Sequence, residues 1–531
     1  MSVTTAVHDG ESRGQRSGPY VSRHAAPTPL ARWAVLVGDL TRRPRRPGRF
    51  RLVGHRPLWA ALTLLVVLSL RLGNSVRADE ALTLVTGAWL RRSWTSGEDV
   101  YSHPETFLGG IPSLHPALLS AAESVAGLPG ARAVSLVAMA IATVAVFVIA
   151  DALLDSGTGW RPGTMAALLF ATSGPVLVMS RLAIHQSAGL ALALVGFALA
   201  LRGVPGAARW PGPVATAAAA LAGLVLGTAI LVSHPSVLIV AVVLVIVGQR
   251  SLGPGSGRWP RTRAGVLVGC VLLPLVLWSA AAGTGWLTGA RVALTQVDLS
   301  SEWGARLVET VGWASVPLGL ALLALIVVDD HHRPLVRVLA TGSVLLAVRQ
   351  LAAGADPAAY LGGAVALAVL PGGYLLARLV TVRLGWAILA VLGYAALAAG
   401  MTQSQSVFQT WPDSTPLVRQ VSYSVDAMPW IRMVAECPEI VHYGLWGRVE
   451  PWQVQGTYPG SFSYRGQTGI EALRMALRDN YVQLVVFDGS TEAGRVIDPT
   501  VYGFRLTDTV AQSGSGRVWR IYQRFDAVPP S

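Results

Sequence analysis

Two adjacent carboxylates, Asp79 and Glu80, stand in the segment NSVRADEALT directly after a long apolar run. A carboxylate held in a fixed position can accept a proton from an attacking hydroxyl group or stabilise an oxocarbenium-like centre. Neighbouring residues on a helix point in directions about 100° apart, so only one of the two can usually face a given site. We favour Asp79 as the base and keep Glu80 as the second candidate.

A purely structural interpretation of the same pair is also open. Carboxylates are favoured in the first turn of a helix, and the following residues, ALTLVTGAWLRR, are compatible with a helix. In that case Asp79 and Glu80 would only begin a helix at the membrane boundary.

Further polar residues recur at the predicted outer ends of the apolar runs. The candidate substrate-binding residues are Arg77, His103, His115, Arg181, His185 and His234. Arg181 suits a phosphate group, because a planar guanidinium can donate to two oxygens at once. The alternatives are interfacial anchoring for the arginines and helix capping or packing for the histidines.

A divalent metal is the remaining candidate ligand of this region. His103, Glu105 and His115 carry suitable ligand atoms, but their spacing matches no standard metal site. We therefore assign no metal-binding residues, and no cofactor is firmly implied.

The elements that position these residues are expected to be membrane helices. Only 13% of the 531 residues are charged and 52% are hydrophobic, whereas about 25% of residues are charged in a typical soluble domain. Apolar runs long enough to cross the ~30 Å hydrocarbon layer recur along the chain. The sequence predicts a polytopic α-helical membrane protein with about eleven spans, at residues 57–73, 131–152, 164–180, 187–202, 213–232, 237–249, 264–283, 312–328, 334–352, 360–380 and 385–401.

The positive charge indicates orientation rather than a nucleic-acid partner. The formal net charge is +13, and the arginines concentrate in the N-terminal arm and in alternate short connections. The positive-inside rule then places the N-terminus in the cytoplasm and the C-terminus outside. Residues 113–129 carry His115 and Glu123, and we expect them to form a juxtamembrane or re-entrant helix on the outer face rather than a span.

Three regions follow from this pattern. Residues 1–56 are predicted to be a disordered basic cytoplasmic arm, and residues 57–402 the membrane domain, with a first outer loop at 74–130. Residues 403–531 read as a small extracytoplasmic α/β domain, with helical spacing in TGIEALRMALRDN and a buried strand in YVQLVVFDGS. We expect a multi-pass protein of the plasma membrane. The absence of lysine and the abundance of alanine, glycine and arginine are typical of a GC-rich bacterial genome.

The arrangement resembles the GT-C superfamily of membrane glycosyltransferases, and most closely the branch of protein O-mannosyltransferases and lipid A aminoarabinose transferases. The carriers of the resemblance are the ADEA element in the first outer loop, LHPALL with Ala117 in place of a second proline, and Arg132 in GARAVS. The turn MSRLAIHQS resembles an R-x-x-x-D element, but His185 replaces its acid. The resemblance is good over about residues 57–205 and looser beyond them.

The resemblance implies an enzyme that takes a sugar from a polyprenyl-phosphate donor and transfers it on the outer face, usually with inversion. It implies that the acid of the ADEA element is catalytic. Membrane lipids, the lipid-linked sugar, and a glycan, glycolipid or protein acceptor are the expected partners, with no nucleic acid. A mannose-like and an arabinose-like sugar both remain open.

Two other functions are compatible with many spans and an outer domain. A transporter or flippase of lipid-linked sugars should show paired halves or broken helices in matching positions, which the sequence does not suggest. A membrane-anchored sensor would bind its ligand in the outer domain and would leave the many spans without a role. The polar residues concentrated on one side favour the enzyme.

Overall fold

The computed structural model describes residues 56–70, 72–97, 114–154, 161–203, 212–252, 258–282, 287, 291, 303–353, 356–382, 384–411, 413–457, 462–512 and 518–524. Apart from Arg56, the predicted N-terminal arm lies outside these residues. So do His103 and Glu105. The described chain is mostly helical, and strands occur in its C-terminal part.

Fourteen described helices form the first part of the chain. They are α1 Arg56–Ser69, α2 Ala78–Ser96, α3 Leu114–Leu153, α4 Pro162–Thr172, α5 Gly174–Met179, α6 His185–Gly203, α7 Gly212–Val232, α8 Ser236–Leu252, α9 Arg258–Ala282, α10 Trp303–Val327, α11 Arg333–Ala352, α12 Pro357–Tyr360, α13 Gly362–Leu379 and α14 Gly385–Gln409.

Eight helices of the described chain are long and apolar enough to cross a membrane, namely α3, α6, α7, α9, α10, α11, α13 and α14. Three shorter apolar helices, α1, α4 and α8, coincide with other predicted spans. The prediction of a polytopic helical membrane protein is confirmed. The count of about eleven spans and the orientation of the termini stay predictions, because length and composition alone support eight.

Helix α13 is the centre of the bundle, with 94% of its residues buried. Its one buried cation, Arg378, donates from Nη1 to Asp329 Oδ2 at 2.7 Å and to the Tyr374 hydroxyl at 2.9 Å. A buried charge is tolerated when it is paired and hydrogen-bonded, so this end of the helix is locked to the turn after α10.

Helix α3 contains a kink between two differently packed parts. Ala126 and Gly127 leave helical geometry, and Gly127 has φ 65°, a left-handed value that glycine adopts without a steric penalty. The first part of α3, residues 114–125, falls within the predicted segment 113–129 and packs against α2. A Cβ at Gly87 of α2 would lie 2.0 Å from the Pro116 carbonyl oxygen, so only glycine permits this close approach.

The C-terminal part contains helices and strands, namely α15 Thr415–Ala427, β1 Met433–Ala435, α16 Pro438–Gly444, β2 Val454–Gly456, β3 Ser463–Tyr464, β4 Gln467–Thr468, α17 Gly469–Arg478, β5 Leu484–Phe487, α18 Glu492–Val496, β6 Arg505–Ala511 and β7 Val518–Gln523. Five of the strands form a sheet of order β2-β1-β5-β7-β6. Strands β1, β2 and β5 are parallel, while β7 runs antiparallel to both β5 and β6. One hydrophobic cluster packs on each face of this sheet. Helix α14 continues to Gln409, past the predicted boundary at residue 402.

The α/β part is docked on the membrane part through α16 and α2. Ile440 packs with Val76 and Ala81 in one small hydrophobic cluster. The ring of Trp89 meets His442 edge-on at a centroid distance of 5.2 Å. The helix that begins with the Asp-Glu pair is therefore held between α3 and the α/β part.

Candidate active site

Glu80 is the buried member of the Asp-Glu pair. Its side chain is 0% exposed and accepts hydrogen bonds from Arg132 Nε at 2.8 Å and Arg132 Nη2 at 2.7 Å. The backbone N–H groups of Ala183 and Arg77 donate to the same carboxylate at 2.7 Å and 3.1 Å. The Arg77 contact is the glutamate half of a capping box at the start of α2, in which the N3 carboxylate accepts from the N-cap backbone N–H. Both Glu80 oxygens are engaged by the protein itself.

Arg132 uses its whole guanidinium to hold the loop before α2. Besides its two bonds to Glu80, Nη1 donates to the carbonyl oxygens of Leu72 and Asn74 at 2.7 Å and 2.9 Å. Nη2 donates to the Ser75 carbonyl oxygen at 3.0 Å. All five N–H groups have acceptors, which makes a buried arginine acceptable in free energy. The Glu80–Arg132 pair thus connects the loop, α2 and α3.

Asp79 is the accessible member of the pair. Its side chain is 46% exposed, and Oδ2 lies 3.8 Å from Arg77 Nε. The pKa of Asp79 is raised above its ordinary value, mainly because the surrounding protein desolvates the carboxylate; Asp356 and Glu80 add to the rise, and Arg77 opposes it. A carboxylate with a raised pKa binds a proton more strongly, which suits a general base.

Arg77 lies between two carboxylates. Its Nη2 forms a hydrogen-bonded ion pair with Asp356 Oδ2, and its Nε faces Asp79. Burial works against the charge, but the two carboxylates outweigh it and raise the pKa of Arg77. Asp356 is itself fixed, since its Oδ1 accepts a hydrogen bond from the Ala358 backbone at 2.9 Å.

Tyr360 adjoins the group formed by Asp79, Arg77 and Asp356. Its hydroxyl is hydrogen-bonded to the Gln186 side chain. Burial, with a further contribution from the Asp79 charge, raises the pKa of Tyr360, so the phenol stays protonated and can act as a hydrogen-bond donor.

The structure brings three of the predicted histidines together. His185, at the start of α6, is in electrostatic contact with both His115 and His234. His115 and His234 are buried. Both ring nitrogens of His115 and the Nε2 of His234 lack a hydrogen-bond partner among the described residues. Gln186 follows His185 directly, so the histidines adjoin the Tyr360 group.

Arg181 is held at the same end of the bundle. Its Nη2 donates to the Leu68 carbonyl oxygen, and its guanidinium carbon lies 4.5 Å from the centre of the Phe408 ring. The preceding Ser180 hydroxyl is 2.6 Å from the Ser69 hydroxyl, which ties this turn to the end of α1. The turn also supplies the Ala183 donor to Glu80.

A metal has no ready-made site in the part of the chain that the structure describes. No three His, Cys, Asp or Glu side chains there are grouped so as to hold an ion. His115, the described member of the candidate set, lies near His185 instead. His103 and Glu105 lie outside the described residues.

Sequence reasoning missed four contributors to this site, namely Asp356, Tyr360, Gln186 and Trp411. The first two lie in GADPAAY, which was recognised only as an outer connection. Its Asp-Pro pair is a helix-start signal, and a carboxylate at a second outer end was a usable indication. Trp411 lies in the polar segment after the last apolar run and had no distinguishing signal.

Comparison with known proteins identifies the fold. No protein-family model and no curated protein sequence matches the chain. The crystal structure of ArnT from Cupriavidus metallidurans bound to undecaprenyl phosphate is similar, with a TM-score of 0.53 and 13% identity over 90% of this chain and 99% of that one. The apo oligosaccharyltransferase of Archaeoglobus fulgidus has a TM-score of 0.51 and 12% identity over 90% of this chain and 75% of that one. The chain therefore shares the fold of these two proteins, which agrees with the fold that the sequence resemblance implied.

Proposed function

We propose that the protein is an integral membrane glycosyltransferase that moves a sugar from a polyprenyl-phosphate donor to an acceptor hydroxyl on the outer face of the membrane. The observation that carries the proposal is that the two carboxylates of the Asp-Glu pair have different surroundings. Glu80 is buried and fully hydrogen-bonded, while Asp79 is accessible beside a paired arginine. The pair thus supplies one reactive carboxylate on a rigid support.

In this reaction Asp79 acts as the general base. Its carboxylate takes the proton of the acceptor hydroxyl as that oxygen attacks the anomeric carbon of the sugar. The bond between the anomeric carbon and the phosphate oxygen breaks, and polyprenyl phosphate leaves. Attack opposite the leaving group inverts the anomeric centre. Glu80 serves as a positioning residue, because its hydrogen bonds fix the start of α2 and hence the direction of Asp79.

The arginines stabilise the leaving phosphate. Negative charge grows on the phosphate as the bond breaks, and fixed cations that face it lower the barrier. Arg181 is the first candidate, and Arg77 is the second because it already neutralises Asp79 and Asp356. The amphipathic donor fits a site at the end of a helix bundle, where the phosphate meets polar groups while the polyprenyl tail stays in lipid. ArnT, which has the same fold, was crystallised with undecaprenyl phosphate.

The histidines and Gln186 contact the sugar in this proposal. Unpartnered imidazole nitrogens can accept or donate hydrogen bonds to hydroxyl groups. His115, His185 and His234 are therefore assigned to the sugar in this proposal, and His103 stays a sequence-based candidate. The sugar is mannose- or arabinose-like, and the acceptor is a glycan, a glycolipid or a protein.

Transfer from lipid-linked sugars tests the proposal directly. Purified protein in lipid nanodiscs receives radiolabelled polyprenyl-phosphate mannose or arabinose together with a cell-envelope extract as acceptor. Wild type should transfer label, and Asp79→Asn should lower the rate by about 10²–10⁴-fold, the usual contribution of a positioned base. Asp330→Asn is the matched control, since that carboxylate is 90% exposed and pairs only locally with Arg333; it should transfer label at the wild-type rate.

The outcomes distinguish a glycosyltransferase from the alternative functions. No transfer from any donor contradicts the enzyme, and movement of a fluorescent lipid-linked sugar across protein-containing liposomes would then support a flippase. Undiminished transfer by Asp79→Asn removes Asp79 from the mechanism but leaves the enzyme class standing.

A further inference from the structure

An aromatic pair at the end of the last apolar helix packs against all three arginines of the site. Trp411 and Phe408 are stacked, with ring centroids 5.3 Å apart and planes inclined by 11°. The guanidinium carbons of Arg77 and Arg132 lie 5.9 Å and 5.5 Å from the Trp411 ring, and that of Arg181 lies 4.5 Å from Phe408. These distances are within the reach of cation–π attraction.

Trp411 is anchored to the loop that precedes the Asp-Glu pair. Its indole N–H donates to the Ser75 carbonyl oxygen at 3.1 Å, the same oxygen that accepts from Arg132. The Ser414 backbone N–H reaches the Ser75 hydroxyl at 3.4 Å. Trp411 is buried, so its place over the two guanidinium groups is fixed by the protein around it.

The two arginines over Trp411 differ in how much they depend on it. Arg132 has an acceptor for each N–H group and is held without the indole. Arg77 has two carboxylate partners, of which Asp356 is close and Asp79 is 3.8 Å away. A side chain drawn to one carboxylate needs a further surface to keep it within range of the other.

We propose that Trp411 is a positioning residue, which holds Arg77 within ion-pair range of Asp79 while Arg77 is bound to Asp356. The inference rests on the proposed function in one respect, namely that Asp79 is the base. Without the indole face, Arg77 turns toward Asp356 and withdraws from Asp79.

The consequence for Asp79 has a definite sign. The charged and titratable groups around it are Arg77, Asp356, Glu80 and Tyr360. Arg77 alone among them favours the ionised carboxylate. Its withdrawal makes Asp79 harder to ionise, and the acid limb of the pH–rate profile moves to higher pH.

The test compares pH–rate profiles of sugar transfer for wild type, Trp411→Leu and Trp411→Phe. Trp411→Leu should move the acid limb upward by about half a pH unit or more and lower the rate several-fold below the limb. Trp411→Phe keeps an aromatic face but loses the N–H bond to Ser75, so its limb should stay close to that of wild type. Trp452→Leu is the matched control, because Trp452 stacks with Arg432 at 5.2 Å in the α/β part; its limb should not move.

A double-mutant comparison shows whether Trp411 acts through Arg77. Arg77→Gln should move the limb upward by itself, and adding Trp411→Leu should move it no further. A drop in rate that is equal at every pH, or additive shifts in the double variant, would overturn the proposal, because a residue that only supports folding behaves in that way.

A second readout does not depend on transfer. Infrared difference spectra, with Asp79→Asn as the reference that assigns the band, follow the protonation of Asp79 directly in wild type and Trp411→Leu. If wild type transfers no sugar, the proposed function fails, and the infrared titration still decides the positioning role. An unchanged Asp79 titration in Trp411→Leu refutes it.

Discussion

Replacing Glu80 by glutamine should destabilise the protein far more than replacing Asp79 by asparagine. Glu80 is 0% exposed and receives two bonds from Arg132, one from Ala183 N–H and one from Arg77 N–H. Glutamine turns one acceptor oxygen into a donor and leaves the Arg132 guanidinium with no compensating charge. Breaking one side of a buried ion pair costs about 3–5 kcal/mol.

The matched substitution at Asp79 is mild for stability. Asp79→Asn removes a half-buried carboxylate whose Oδ2 lies 3.8 Å from Arg77 Nε. An ion pair that is this long and still reached by solvent contributes about 0–1 kcal/mol, so the free energy of unfolding should change by no more than that. The two neutralising substitutions, one residue apart, thus distinguish a residue that stabilises the fold from a residue that acts in the reaction.

The assay is denaturant-induced unfolding of the purified protein in mixed micelles, followed by tryptophan fluorescence. A double variant, Glu80→Gln with Arg132→Met, should recover part of the loss, because a neutral pair no longer contains an uncompensated charge. If Glu80→Gln unfolds like wild type and transfers no sugar, Glu80 is a reactive group and its assignment as a positioning residue is wrong.

Three further outcomes follow from local geometry and charge. Asp356→Asn should move the acid limb of the pH–rate profile to lower pH, because Asp356 raises the pKa of Asp79; an upward shift would contradict this. Gly87→Leu should separate α2 from α3 and lower both the unfolding midpoint and the transfer rate, because a Cβ at Gly87 would lie 2.0 Å from a backbone oxygen. Gly393→Ala is the control, since a Cβ at Gly393 would have no atom within 4 Å, and it should change neither quantity. Burial lowers the pKa of His442 to about 4, so the unfolded state binds more protons between about pH 4 and 6.5 and stability falls as the pH drops through that range. His442→Gln should flatten this dependence in a pH series of thermal melts, and an unchanged slope would exclude His442 as its source.

The helices and strands could be predicted from the sequence because each follows from a local pattern of residues. The apolar runs predicted the membrane helices, and YVQLVVFDGS and TGIEALRMALRDN contain β5 and α17. Helical spacing or a short apolar run decides such elements with little help from distant residues. The fold class was accordingly predicted correctly, and the similarity to ArnT bears it out.

Which of Asp79 and Glu80 is accessible could not be predicted from the sequence, because it depends on contacts with residues that are distant in the chain. Arg132 lies 52 residues from Glu80, and Asp356 lies 279 residues from Arg77. No periodicity connects such pairs. The Asp-Glu pair could be placed at a boundary, but only tertiary packing decides which carboxylate is enclosed and which stays accessible.

The large sequence distances between these partners affect the order in which the contacts around the Asp-Glu pair can form during synthesis. A chain is made from its N-terminus, and the Glu80 contacts need nothing beyond Ala183. The hydrogen bonds of Glu80 can therefore form before most of the chain has been synthesised. The contacts of α2 with α16, and the groups Asp356 and Trp411, have to wait for later segments. We expect a chain that is released soon after Ala183 to contain the Glu80 bonds but to lack the groups that surround Asp79.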